Sequence, residues 1–363
     1  MQIGTASARP GQMAFGHLEV LRHVDGTPER LPVIVAAGKH DGPCLWVTAN
    51  IHGDEGVGLI AVQEAITRGL AKRLGELRGM VVAIPSLNPA GLRVSRRKPY
   101  YDPETDPNRT FPDAATQVDD DDPPPPVELA SGIWFDVMRQ TATYLVDLHS
   151  MDIQATPFTI RDHVLYREKS QLAAARRLAE TTDGLAHAFG IPVVNEYGPQ
   201  RYIAKKLHRS TAGAALHVAG IPAITPELGM TGDVDPLALR AGVAGIRNVL
   251  LWANMLDGEP EVIDWIPRPD LGYPVGRLSH PRSPHTGIAH KVVRPGEVIH
   301  AGQVVAELRD IWGQPLDGDG LIRTAHDGWV LSVRSGVGVF KGAALLEIAA
   351  RDDEPLVLPW PKQ

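Results

Sequence analysis

Residues 50–58 read N-I-H-G-D-E-G-V-G. His52 and Glu55 stand three residues apart, after an apolar run (Leu45 to Ile51) and before a helix-like pattern from Gly58 to Leu70. The pattern predicts a strand that ends at the histidine, a tight Gly-rich turn, and then a helix. Such a turn aims an imidazole and a carboxylate at one point above a sheet. Two ligands leave a metal half held, so a third has to arrive from elsewhere in the chain. His149, closing the apolar run L-V-D-L-H-S, is the best candidate. Two histidines and one glutamate with a fourth position open is the zinc-ligand set of a hydrolytic site rather than a structural one. Either motif alone is a common surface or core pattern; the paired strand-end placements carry the reading.

Working outward, residues 13–37 alternate as short strands around a D-G-T turn. Gly58 to Arg73 places apolar residues at helical spacing (Leu59, Ile60, Val62, Ala65, Ile66, Leu70), and Met80 to Pro85 reads as another buried strand. Strand–helix–strand alternation predicts an α/β fold, a mixed and mostly parallel sheet flanked by helices. In such sheets the catalytic loops lie beyond the carboxyl ends of the strands, where His52 and His149 fall. From Ser86 to Asp113 the periodicity vanishes in a long loop with Arg93, Arg96, Arg97 and Lys98 early and Asn108-Arg109 late. That loop is either an anion-recognition loop beside the metal or a solvated basic loop. Ala114 to Pro126, with four aspartates and four prolines in succession, reads as an exposed insertion. Helices are expected over Val127 to Gln140, Ser170 to Phe189 and Leu237 to Leu256, and a strand over Thr143 to Leu148. I-P-A-I-T-P-E-L-G is a strand with Glu227 at its end. Residues 270–350 show short Val-rich strands between Gly and Pro turns, a small all-β barrel-sandwich. The expected division is a catalytic α/β domain, 1–260, and a C-terminal β domain, 261–363.

Other residues invite blander readings. Asp147 precedes His149 by two on a strand, so both can face one side, as a support for the histidine or as a plain strand-end hydrogen bond. Asp54, between the two ligands, should point away. Glu196 competes with Glu227 but reads better as a substrate-loop or surface residue. His187 and His217 read as a helix-end surface histidine and a packing histidine. Cys44, the only cysteine, excludes an internal disulfide and a multi-cysteine zinc site, and inside an apolar run it reads as core. A net charge of -7 argues against a nucleic-acid surface. No apolar run is long enough to span a membrane, and the first residues lack the apolar core of a secretory signal, so a cytoplasmic protein is expected.

Several groups then line up in order: His52-Gly-Asp-Glu55, Asn88-Pro-Ala-Gly91, Arg96-Arg97, Asp106-Pro-Asn-Arg109 followed by Thr-Phe-Pro, Asp147-Leu-His149, and Pro226-Glu-Leu-Gly229. Together they resemble the succinylglutamate desuccinylase/aspartoacylase family, which is similar in its catalytic half to the zinc carboxypeptidases. The resemblance extends into the C-terminal segment V-R-P-G-E-V-I-H-A-G-Q-V-V-A-E-L-R-D-I-W-G. It implies one zinc ion on His52, Glu55 and His149, with Glu227 as catalytic carboxylate. It implies substrate-carboxylate binding by Asn108 and Arg109, and an oxyanion-stabilising arginine at Arg97, with Arg96 as the alternative. The family's usual Asp-Leu-Asn-Arg reads Asp-Pro-Asn-Arg here; Pro107 removes a backbone donor and stiffens the turn that carries Arg109.

The implied activity is zinc-dependent hydrolysis of the amide of an N-acyl amino acid or related small carboxylate. Amide cleavage at neutral pH needs an activated water, a carboxylate to move its proton and a cation at the developing oxyanion. The alternatives are a metallo-carboxypeptidase acting on a peptide or cell-wall fragment, and a non-catalytic binding protein that retains the fold. A closed pocket favours the deacylase and an open groove the peptidase. The sequence leaves the acyl group, the amino acid and the oligomeric state open, a homo-oligomer included.

Overall fold

The computed structural model describes residues 1–113 and 124–362. Strands β1 (Gln12–Arg22) and β2 (Pro28–Ala37) form an antiparallel hairpin. β3 (His40–Ala49) follows, then α1 (Gly56–Val62), whose helical path continues through a wider turn at Gln63–Gly69 and a tighter one at Leu70–Arg73. Next come β4 (Arg78–Ile84), α2 (Pro126–Arg139), β5 (Tyr144–Leu148), β6 (Phe158–Arg161), α3 (Leu172–Phe189), β7 (Val193–Asn195) and α4 (Pro199–Ala204). β8 (Ala223–Glu227) and α5 (Pro236–Trp252) complete the first 260 residues. The expected insertion lies mostly outside the described residues; Pro126, assigned to it from sequence, instead opens α2, where a missing N–H costs nothing.

At the centre of the large sheet, β4, β3, β5 and β8 run parallel, as do β6 and β7. β1 and β2 add an antiparallel end, and β8 meets β6 antiparallel. The sheet is therefore mixed, with its parallel pairings gathered where the candidate site lies. β3 shows why its sequence runs apolar without alternation. Leu45, Val47 and Ala49 pack into one core with α1, α3 and α5, while Cys44 and Trp46 pack into another with α2. Both faces are covered there, so every position from Cys44 to Ala49 is buried.

The C-terminal strands are β9 (Val275–Ser279), β10 (Gly287–Lys291), β11 (Val298–Ile299), β12 (Val304–Arg309), β13 (Leu321–Arg323), β14 (Gly328–Val333), β15 (Gly338–Val339) and β16 (Leu346–Arg351). β13, β12, β10 and β15 form a separate four-stranded sheet. The rest extend the large sheet: β9 pairs parallel with β7 at Asn195 and Gly276, and antiparallel with β16, which β14 and β11 follow. This seam carries its own apolar cluster, in which Met151, Phe158, Ile160 and Val194 meet Trp329, Leu331 and Ala349.

Candidate active site

β3 stops at Ala49, three residues before the histidine, because Asn50 takes a left-handed conformation (φ 55°) and turns the chain. Asparagine tolerates this conformation better than most residues. Its buried side chain then fastens the turn: Nδ2 donates to the carbonyls of His52 (3.0 Å) and Glu55 (3.1 Å), and Oδ1 accepts from Ser86 Oγ (2.7 Å). His52 and Glu55 thus sit in the turn itself, and β5 delivers His149 from the adjacent parallel strand. All three side chains are buried. His52 Nδ1 lies 2.6 Å from Glu55 Oε1, and His149 Nδ1 lies 2.9 Å from Glu55 Oε2. One potential ligand atom from each residue falls within 4.8 Å of the others, and among the described residues this is the one such group.

The electrostatics suit a cation. Burial works to raise the Glu55 carboxyl, yet the two imidazoles outweigh it and hold the group below its ordinary range. Burial likewise opposes a charge on His149, but Asp147 and Glu55 together push its pKa well above the usual imidazole value. Buried carboxylates that favour a positive charge at this spot, with imidazole nitrogens turned toward one point, fit a divalent metal of the zinc type.

Each imidazole is also held from behind. His149 Nε2 lies 2.9 Å from Asp147 Oδ2, whose Oδ1 accepts from Thr48 Oγ1 at 2.6 Å. His52 Nε2 lies 3.2 Å from Asp106 Oδ1. Of the two readings of Asp147, the structure has the one that supports the histidine; Asp106 enters the sequence reading only within the Asp106–Arg109 motif. Nothing in its sequence position, 54 residues from His52, could have found it. Asp106 caps the short turn Pro107–Arg109 by accepting from Asn108 N (3.0 Å), so Pro107 sits where its lost N–H is harmless.

Glu227 ends β8, and its backbone bridges to His149 at the carboxyl ends of neighbouring parallel strands. Its Oε2 is buried without a hydrogen-bond partner among the described residues, in a cavity of about 300 Å³ that His52, Glu55 and His149 also line. Burial, outweighing the attraction of His149, pushes its carboxyl up to about 7. A carboxylate with that proton affinity can both accept and return a proton near neutral pH.

Of the neighbouring arginines, Arg97 lines the cavity, half-exposed, with Nη2 2.9 Å from Asp106 Oδ2 and Nη1 3.6 Å from Glu55 Oε1. Arg96 does not line it; its side chain is solvent-exposed while its backbone is pinned to Gly91 (N to O, 3.0 Å). The chain leaves a left-handed Ser95 (φ 50°) and bends at Arg97 and Lys98. Arg93 and Lys98 bind Tyr100 and the Glu104 carbonyl instead, so the basic loop is part solvated and part site. Arg109 lines the cavity. Asn108 does too, but its Oδ1 is occupied by Thr211 N (2.9 Å) and Oγ1 (3.1 Å), and its Nδ2 faces His149 Nε2 at 3.4 Å. Asp54, expected to turn away, lines the same cavity with Oδ1 buried and unpartnered.

Of the cavity's remaining wall, the sequence reading reaches Glu196, as a substrate-loop or surface residue, and not Arg277 or Arg334. Glu196 is buried, not a surface residue, and accepts from Arg277 Nη1 at 2.6 Å. Arg277 comes from β9 and Arg334 follows β14, so C-terminal strands close one side. His217 packs as expected, bonded to the Gly213 carbonyl. Cys44 is buried, and burial pushes its thiol up to about 12. No helix among the described residues is long and apolar enough to cross a membrane.

Comparison with known proteins agrees with this geometry. Residues 41–253 match the succinylglutamate desuccinylase/aspartoacylase catalytic domain. The chain is 28% identical over 287 residues to the N-alpha-acetyl-L-2,4-diaminobutyric acid deacetylase of Halomonas elongata, covering 77% of this chain and 74% of that one. It superposes on a succinylglutamate desuccinylase/aspartoacylase from Rhodobacter sphaeroides with a TM-score of 0.72 at 21% identity, covering 94% and 96% of the two chains. It is also similar to the product-bound ectoine utilization protein EutE of Ruegeria pomeroyi (TM-score 0.70, 19% identity, 93% and 94% covered). Because the domain match takes in more than half of the sequence and includes His52, Glu55, His149 and Glu227, the chain belongs to the succinylglutamate desuccinylase/aspartoacylase family of deacylases.

Proposed function

We propose that this chain is a zinc-dependent amidohydrolase that removes the acyl group from an N-acyl amino acid. The observation that carries the reading is the buried His52–Glu55–His149 cluster with the unpartnered Oε2 of Glu227 in the same cavity. Zinc held by those three residues would act as a Lewis acid and lower the pKa of a bound water to about 7. Glu227 takes the proton of the attacking water and returns it to the leaving nitrogen as the C–N bond breaks. Arg97 meets the negative charge that develops on the acyl oxygen. Arg109 holds the substrate carboxylate, and Asn108 positions His149 and the loop beside it. Asp106 and Asp147 orient the imidazoles. The segment 1–260 supplies the chemistry, and 261–363 supplies the wall that limits substrate size.

A cavity of about 300 Å³ walled by Arg277 and Arg334 suits a small substrate better than a peptide. The relative from Halomonas elongata takes its name from an N-acetylated diamino acid, which supports acetyl as the acyl group here. Metal analysis followed by a panel of N-acetyl amino acids and dipeptides tests the reading. One zinc per chain and acetate release from the acetylated members is expected. Release from none of them with zinc bound would return the chain to the binding-protein reading, and cleavage of dipeptides alone would make it a peptidase.

A further inference from the structure

Two carboxylates leave the sheet side by side. β6 and β7 are parallel with Arg161 opposite Asn195, so Asp162 and Glu196, each the next residue, emerge together at the carboxyl ends of the strands. Both are buried and both line the cavity. Glu196 is fully engaged: Oε1 accepts from Tyr197 N (2.8 Å) and Oε2 from Arg277 Nη1 (2.6 Å). Asp162 is not. Tyr202 Oη donates to its Oδ2 at 2.7 Å, and among the described residues no cation lies within ion-pair distance of it. Arg109 and Arg277 act on it only from further away, and burial together with Glu196 pushes its carboxyl up to about 7. A carboxylate that is 7% exposed, faces a cavity and lacks a counter-ion is a costly feature for a fold to keep without a ligand.

We infer that Asp162 binds the ammonium group of a substrate side chain, so that the preferred substrates are N-acyl amino acids with a short basic side chain. The inference rests on the deacylase reading above. It adds a second charge contact to the same cavity: Arg109 takes the substrate carboxylate and Asp162 takes the amine. Arg277 is not free to invert this preference, because Glu196 and Glu347 already hold it (2.6 and 3.5 Å).

The test compares zinc-loaded wild type and Asp162→Asn on N-α-acetyl-L-2,4-diaminobutyrate and on N-acetyl-L-norvaline, which replaces the side-chain ammonium by a methyl group. Acetate release is followed in all four combinations. Wild type should prefer the amine by ~10-fold or more in kcat/KM, the range of a charge-assisted hydrogen bond. In Asp162→Asn, which keeps an acceptor for Tyr202, that ratio should fall toward one. Equal rates in wild type would overturn the inference without a variant being needed. So would a variant that loses both activities in proportion, which would mark Asp162 as purely structural. Acetate release without preference removes only this inference; release from neither substrate removes the deacylase reading along with it.

Discussion

His52 and His149 are each gripped at both ring nitrogens, with Glu55 on the inner side and Asp106 or Asp147 on the outer. The outer contact fixes ring orientation and tautomer, so that Nδ1, beside Glu55, is the nitrogen turned toward the point a metal would occupy. Asp106→Asn should therefore weaken metal binding by about 10–100-fold, and Glu227→Gln should leave it nearly unchanged while slowing turnover by ~10²–10⁴-fold. Chelator competition and kcat on the metal-saturated proteins separate the two effects. If Glu227→Gln lost metal as readily as Asp106→Asn, the carboxylate would belong to the ligand set and not to proton transfer. Asp106 shows the limit of reading residues one at a time. Its partner is far away in sequence, and a surface-loop aspartate before a proline has no local mark of such a task.

The turn that carries His52 and Glu55, fastened from within by Asn50, is also held by contact with its neighbour loop. Gly53 donates its N–H to the Arg97 carbonyl at 3.2 Å, and Asn88 Nδ2 donates to the carbonyls of Ile51 and Arg97 (3.1 and 3.2 Å). A Cβ on Gly53 would stand 2.1 Å from the Gly91 carbonyl carbon and 2.6 Å from the Arg96 carbonyl oxygen. Both are backbone atoms that cannot swing aside. Gly53→Ala should thus force the two loops apart, cost about 1–3 kcal/mol of stability, and lower metal occupancy and activity together by displacing Arg97. Urea unfolding with metal analysis checks it; unchanged stability and occupancy would mean that the loops separate freely. At this scale the sequence predicted a strand, a Gly turn and a helix in the right order. It missed that the strand stops at Asn50, since its φ of 55° answers to Ser86 and the two turn carbonyls and not to its neighbours in sequence.

At the scale of the whole molecule, the two halves share a sheet. β7 pairs with β9, the seam buries Phe158 and Val194 against Trp329 and Leu331, and the Glu196 charge is met by Arg277 from across it. A chain cut after residue 260 would open the β7 edge, expose that apolar cluster and leave Glu196 without its cation. Such a fragment should be poorly soluble and should release no acetate from substrates that the full chain turns over. Soluble yield and acetate assay decide; a stable, fully active fragment would show that the wall is dispensable.

The convergence of His52, Glu55, His149 and Glu227 on one cavity was legible because each ends an apolar run or opens a helix, and strand ends at one edge of a parallel sheet are where such residues gather. Apolar periodicity likewise determined the α/β class and the β character of the C-terminal segment, because burial on one face or both imprints directly on residue order. What only the tertiary structure decided was which charges meet: Asp106 with His52, Arg97 and not Arg96 at the cavity, Arg277 on Glu196, and Asp162 bonded to Tyr202 with no counter-ion among the described residues. Those pairings depend on loop paths and on strand register across the seam. Electrostatic contacts of that kind act through space, so they leave no period in the chain.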